Sequence, residues 1–494
     1  MKPAGTPRKP SPLAQWWARQ WPRWLPFADA ASASLPLPRL LRLALFQVSV
    51  GMATALLVGT LNRVMIVELG MSAGLVALMV ALPLVAAPFR AFIGFRSDHH
   101  RSALGWKRVP YLWLGSLMLF GGLAIMPFAL LLLGEGGLKG QTFGAVGGAL
   151  AFLLVGAGMQ MTQTAGLALA TDLAPPAQGP RVVALLHTML LLGLIASGLV
   201  FSLLLADFTP VRLIQVVQGA AALALLLNLV ALWKQEPRRP RSREDAAPAF
   251  RTGWREFLAR GRARRFLWVV GLGTAAFNMQ DIILEPYGGE VLGLSVSQTS
   301  LLTALMALGA LAAFGLSARL LGRGVNPLSL AAWGAVLGLP AFALVILAAP
   351  LGAPGLFRLG TVLIGAGGGF FAVGTLSAAM DLGRANLRET GLALGAWGAV
   401  QATVAGASIA FGGVLRDLLS GLALQGHLGV ALNEASAGYG AIYHLELLLL
   451  FATLVAIGPL VRAARIAAPA DPSPPGADRA PDPQAGFGLA RLPG

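Results

Sequence analysis

A short polar island stands between two long apolar stretches: Arg96-Ser-Asp-His-His-Arg-Ser-Ala-Leu-Gly-Trp-Lys-Arg108. Before it, residues 72–94 are nearly all apolar except Arg90, and after it, residues 109–133 carry no charge. A helix crosses ~30 Å of hydrocarbon with ~20 apolar residues, and Arg and Lys gather in the cytoplasmic loops. The island therefore predicts a hairpin that crosses a bilayer twice. A soluble fold is excluded by bulk composition, with 56% hydrophobic residues, 12% charged and a mean hydropathy of +0.71. A water-facing surface needs about twice that charge fraction.

Twelve stretches are long and apolar enough to span, at 40–66, 72–94, 109–133, 143–171, 181–206, 211–233, 266–288, 297–320, 327–349, 356–380, 388–414 and 438–461. The longest break, 234–265, divides them six and six. The expected organisation is an aromatic and basic cytoplasmic segment (1–38), an N-terminal six-helix half (39–233), a cytoplasmic central loop (234–265), a C-terminal half (266–465) and a disordered Pro/Ala-rich cytoplasmic tail (466–494). With the N-terminus inside, 32 of the 37 Lys and Arg fall on the cytoplasmic side, leaving Arg63, Lys139, Arg212, Arg358 and Arg416 opposite. Both termini are thus expected in the cytoplasm. The net charge of +16 reads as a topology signal and an attraction to anionic headgroups rather than nucleic-acid binding. Residues 1–38 hold no apolar h-region, so the first span is expected to act as an uncleaved insertion signal. The absence of cysteine removes disulfides, thiol chemistry and Cys-ligated metals.

An internal repeat sharpens the architecture. Gly156-Ala-Gly158 precedes Asp172-Leu173 by sixteen residues, and Gly365-Ala-Gly367 precedes Asp381-Leu382 by sixteen. An Arg opens the next helix in each half, Arg181 and Arg388, and Gly70-Met-Ser72 echoes Gly293-Leu-Ser295. Two six-helix halves in the same orientation describe an all-α membrane protein of the major facilitator superfamily fold.

Three segments carry a family resemblance: 43–70 (LALFQVSVGMATALLVGTLNRVMIVELG), 88–128 (PFRAFIGFRSDHHRSALGWKRVPYLWLGSLMLFGGLAIMPF) and 279–290 (MQDIILEPYGGE). Over residues 38–465 the chain resembles the PucC/LhaA family, major-facilitator-like factors of photosynthetic bacteria. A generic transporter would share only the skeleton of Gly94, Asp98, Gly105, Lys107 and Arg108, here with unusual spacing. His99 stands where the family usually has a small polar residue, which leaves it without an implied role. The resemblance implies an assembly factor for light-harvesting antennae, LH1 or LH2, in the photosynthetic inner membrane, with bacteriochlorophyll as bound cargo. Antenna polypeptides, and the reaction centre or chlorophyll synthase, would be its partners.

Four constellations are candidate sites. Asp98, Arg101, Lys107 and Arg108, with Asp172, Arg181, Asp381 and Arg388, can clamp the cytoplasmic face; the bland alternative is a solvated positive-inside anchor. Asp281 and Glu285, spaced i, i+4, share a face of the seventh helix. Asn62 and Arg63 reach the same depth on the first helix. This predicts an outer gate in which Arg63 pairs with Asp281 or Glu285, against a purely interfacial Glu285. His187, His444, Gln160 and Gln163 are candidate axial ligands for pigment magnesium, with helix–helix hydrogen bonding as the competitor. Trp16, Trp17, Trp21, Trp24 and Trp254 interleave with Arg and can lie in the headgroup layer or dock an antenna polypeptide.

No P-loop, catalytic triad or metal cluster is present, and an enzyme is not expected. The rival readings are a proton-coupled transporter of a small solute and a pigment-free membrane chaperone. The transporter needs a titratable group near the midplane. Asp281 and Glu285 fall ~24 and ~30 Å past Arg265 at ~1.5 Å per residue, in the outer third, which counts against it.

Overall fold

The computed structural model describes residues 35–85, 106–135, 138–175, 179–236, 261–384, 390–427 and 436–467. These form twelve helices: α1 (Leu37–Glu68), α2 (Ala73–Val85), α3 (Val109–Glu135), α4 (Leu138–Leu173), α5 (Gly179–Leu204), α6 (Pro210–Leu232), α7 (Gly261–Glu290), α8 (Val296–Gly322), α9 (Pro327–Ala348), α10 (Pro354–Arg384), α11 (Thr390–Leu424) and α12 (Ser436–Ala467). Eleven are long and apolar enough to cross a membrane, and α2 adds a shorter apolar helix over Ala73–Leu82. Each of the twelve expected spans thus has its helix, eleven of them of spanning length among the described residues. The largest boundary difference is in α11, which runs to Leu424, ten residues past its expected end, and α7 starts five residues early at Gly261, so Arg262, Arg264 and Arg265 lie within the helix.

Local chemistry explains where helices begin. Thr209 and Asn326 cap α6 and α9, each followed by Pro at the first helical position. Ser295 and Gln298 form a capping box on α8. The repeat seen in sequence is a repeated turn: Gly70 and Gly293 both take a positive φ, 64° and 66°. Two residues on, Ser72 accepts from Leu75 N at 3.3 Å and Ser295 from Gln298 N at 3.3 Å. A left-handed glycine followed by a capping serine turns the chain into α2 and into α8.

Lipid offers little hydrophobic drive between helices, so close backbone approach has to supply the packing. In the C-terminal half, a Cβ on Gly365 would stand 2.0 Å from the Met306 carbonyl oxygen of α8, and one on Gly367 2.9 Å from the Gly334 carbonyl of α9. In the N-terminal half, a Cβ on Gly158 would meet Gly115 O of α3 at 2.6 Å. The Gly-Ala-Gly repeat is thus a packing device. The halves join through α2 against α11 and α5 against α8. Gly413 of α11 lies against Ala73 and Ala77, and Gly198 of α5 against Ser300 and Ala304. Outward faces carry large apolar side chains such as Phe143, Leu203 and Val455, as a lipid-facing surface requires.

Candidate functional site at the irregular stretches of the first and seventh helices

The face on which the described chain begins and ends is called the near face, and the opposite one the far face. On the way to the far face, α1 and α7 both lose regular α geometry. Helix α1 widens into π turns over Ala55–Leu61 and Val64–Glu68. Helix α7 tightens into a 3₁₀ turn over Met279–Ile282, pauses at Ile283, and resumes at Leu284. Irregular backbone at membrane depth persists only where protein or a lined cavity supplies partners, and π segments recur at functional sites. Here Asn62 is the partner. Its amide nitrogen donates to the carbonyls of Ile282 at 2.9 Å, Asp281 at 3.3 Å and Val58 at 3.1 Å. Thr60 and Ser300 exchange a hydrogen bond at 3.1 Å beside it.

The break corrects the expectation that Asp281 and Glu285 share one helix face. Glu285 accepts from Thr303 of α8 at 2.6 Å, whereas Asp281 accepts from the Gln280 amide at 2.5 Å. The predicted pairing of Arg63 with Asp281 or Glu285 is not a direct ion pair, although the Arg63 charge acts on Glu285 nearby. Arg63 pairs with Glu68 of its own helix and donates to the Leu294 carbonyl at 3.2 Å. The π turn is the reason, because it brings residue i+5 beneath residue i. Arg63 is buried and lies along Gly289, whose missing side chain leaves it room. Arg63 still links α1 to the C-terminal half, but through a backbone carbonyl.

Glu446 of α12 joins this region. It is fully buried, and its carboxylate turns toward the backbone N–H of Gln280 with no side-chain partner among the described residues. It lies beside the Gln280 backbone and near Asp281, ~15 Å from Ser436 by helical rise. It thus shares the depth of Asp281, toward the far face, and adds a third carboxylate to the off-centre group that the sequence reading placed there. Its neighbours include Tyr443, whose buried hydroxyl is unpartnered. Tyr443 packs edge-on against Tyr287 at 5.4 Å.

The far face is held by residues the sequence reading did not select. Asp417 of α11 accepts from the backbone N–H groups of Ala73 at 3.1 Å and Gly74 at 2.6 Å, capping α2 across the two halves. Arg416 gathers Asp417 at 3.0 Å, Glu290 and the Tyr439 hydroxyl at 2.9 Å. Arg416 had stood out only as one of five basic residues on the sparse side. A carboxylate next to it, able to reach the open N-terminus of α2, was the available signal.

At the near face, Arg108 pairs with Asp172 at 3.0 Å, so two members of the expected clamp meet, joining α3 to α4. The organising acid is one sequence reasoning missed. Glu236, just past α6, accepts from the N–H groups of Lys107 at 2.7 Å, Arg108 at 3.0 Å and Val109 at 2.9 Å. It caps α3 with a charge where the helix dipole favours one. These contacts hold one half together. The contacts across the halves given above, from Asn62, Arg63, Thr60 and Asp417, lie toward the far face. Arg181 is half-buried, and Asp381 is exposed on α10. Asp98, Arg101, Arg388, Trp16, Trp17, Trp21, Trp24 and Trp254 lie outside the described residues. Glu236→Ala should cost about 1–2 kcal/mol, in line with lost helix caps, read as a lower midpoint of thermal unfolding in detergent. Glu236→Gln should retain part of it.

The pigment-ligand candidates are scattered. Gln160 and Gln163 are half-buried on α4, and His187 is half-buried on α5 with Nδ1 3.0 Å from the Val183 carbonyl. His444 is exposed on α12, with Nδ1 2.7 Å from the Gly440 carbonyl.

Comparison with known proteins places this arrangement. The chain is 55% identical over 404 residues to Protein PucC of Rhodovulum sulfidophilum, covering 80% of this chain and 88% of that protein. It is 51% identical over 460 residues to Protein PucC of Cereibacter sphaeroides, covering 92% and 98%. It is also 30% identical over 439 residues to the bacteriochlorophyll synthase 44.5 kDa chain of Rhodobacter capsulatus, covering 87% and 96%. Among solved structures, a bacterial homologue of the lysosomal transporter Spinster, inward-facing and unoccupied, superposes with a TM-score of 0.66 at 15% identity, covering 86% of this chain and 96% of that one. That likeness is one of fold, and the fold is the major facilitator type. The sequence profile of the PUCC protein family matches residues 60–465, and the chain belongs to that family.

Proposed function

We propose that the chain is an assembly factor for bacterial light-harvesting antenna complexes, LH1 or LH2, and that it holds bacteriochlorophyll and passes it to antenna polypeptides within the bilayer. The observation that carries this reading is near full-length similarity to PucC proteins, together with the relative named for bacteriochlorophyll synthesis. The setting is the photosynthetic inner membrane with both termini cytoplasmic, an orientation that the 32-to-5 division of basic residues supports. No chemistry on the pigment is needed. The protein supplies a surface and a path, and antenna polypeptides are the partners. The reaction centre and chlorophyll synthase are the further partners this role would bring together.

A second reading, a proton-coupled transporter of a small solute, is favoured by one feature: the fully buried carboxylate of Glu446 within the bundle. Deleting the gene separates the two. An assembly factor predicts loss of antenna absorbance with reaction-centre absorbance retained, restored by the wild-type chain. A deletion strain with wild-type antenna levels would overturn the proposal.

A further inference from the structure

On α12 a polar ring faces away from the bundle. His444 is exposed on a stripe that continues through Leu448, Phe451 and Val455, spaced as one helix face. At ~1.5 Å per residue it sits ~12 Å from Ser436, inside the depth of the lipid chains. An imidazole there loses hydration, and a polar group in such a place marks a site by default.

The ring is oriented for ligation. Nδ1 is 2.7 Å from the Gly440 carbonyl oxygen. A carbonyl only accepts, so Nδ1 carries the hydrogen, and the uncharged ring keeps its lone pair on Nε2, the distal nitrogen. A backbone carbonyl fixing Nδ1–H in this way is how proteins aim Nε2 at a metal.

The surface beside the ring is cleared. Helical side chains lean toward the helix N-terminus, so a group bound at Nε2 lies over the preceding turn. That turn carries Ala437, Gly440 and Ala441. A Cβ added at Gly440 would meet nothing within 4 Å, so the face is open and flat there. His187 makes the same Nδ1 contact, but its ring is half-buried and the residue four before it is the branched Val183.

We propose that His444 Nε2 is the axial ligand of a magnesium chlorin lying flat on the outward face of α12, over Gly440 and Ala441. This rests on the pigment-handling reading above and deepens it. The pigment sits on the lipid surface of the bundle rather than between the halves. Lateral transfer to an antenna helix then needs no opening of the bundle.

The test uses the full chain in mild detergent, titrated with bacteriochlorophyll a and, separately, with its magnesium-free counterpart bacteriopheophytin a. Binding is followed by absorption and circular dichroism of the long-wavelength band. His444→Leu should weaken bacteriochlorophyll binding about tenfold or more, a loss of one good contact, and leave bacteriopheophytin binding unchanged. Gly440→Leu should weaken it comparably, although the imidazole remains. His187→Leu should bind as wild type. His444 and Gly440 face outward, so their variants should unfold at the wild-type temperature, and the thermal midpoint confirms that each of the three variants is folded. If His444→Leu and Gly440→Leu bind bacteriochlorophyll like wild type while wild type does bind it, the site is wrong and the pigment reading stands. If only Gly440→Leu binds normally, the flat placement is overturned. If wild type binds no bacteriochlorophyll, the pigment reading fails and this site with it.

Discussion

Replacing Gly413 by leucine is expected to part the two halves at the far face. A Cβ at this position would stand 2.3 Å from the Ala77 Cβ and 2.6 Å from the Ala73 carbonyl oxygen. Both atoms belong to the α2 backbone or sit directly on it, so no rotamer change can make room. Overpacking of this kind costs about 3 kcal/mol at the upper end of the usual range. Gly413→Ala should show the same effect in smaller measure. The chain has no cysteine, so spin labels on cysteines introduced near the far ends of α2 and α11 report one distance without background. That distance should lengthen in Gly413→Leu, and the thermal midpoint should fall. A wild-type distance with a lowered midpoint would show that the contact stabilises without governing closure.

The second large effect belongs to Arg416. Its guanidinium stands 4.5 Å from the Tyr439 ring centre and forks between Asp417 and Glu290. Arg416→Ala leaves two carboxylates facing each other without their cation. Breaking a buried pair costs about 3–5 kcal/mol. The carboxylates retain about a quarter of their exposure, which reduces the expected loss to about 2 kcal/mol after screening. Arg416→Lys keeps the charge and loses the fork, so it should recover only part of the stability. Asp417→Asn should be milder, since the amide oxygen can still cap one N–H of α2. If Arg416→Ala melts like wild type, the far-face network is ornamental and the closure rests on the glycine contacts alone.

Spans, halves and family were legible because each depends on composition over many residues. A ~20-residue apolar run and a lopsided division of Arg and Lys survive any local irregularity. The repeat was legible for the same reason: Gly70 and Gly293, and Gly158 and Gly367, sit where the backbone itself demands glycine. The site was less legible because it depends on departures from helix geometry. Counting i, i+4 put Asp281 and Glu285 together, and the 3₁₀ turn between them separates them. Counting depth put Arg63 opposite Asp281, and the π turn gives it Glu68 instead. Glu236 and Asp417 were missed because capping joins an acid to a helix that is distant in sequence, 129 residues for Glu236 and Lys107 and 344 for Asp417 and Ala73. Glu446 was seen as a neighbour of His444, but its approach to the break in α7 is a tertiary fact.

The central claim is that this bundle carries pigment for antenna assembly. The direct measurement is the absorption spectrum of the protein purified in mild detergent from cells that make bacteriochlorophyll but lack antenna polypeptides. The account predicts bacteriochlorophyll absorbance near one pigment per chain. A colourless, folded protein that retains antenna polypeptides when they are supplied would contradict it and identify a pigment-free chaperone.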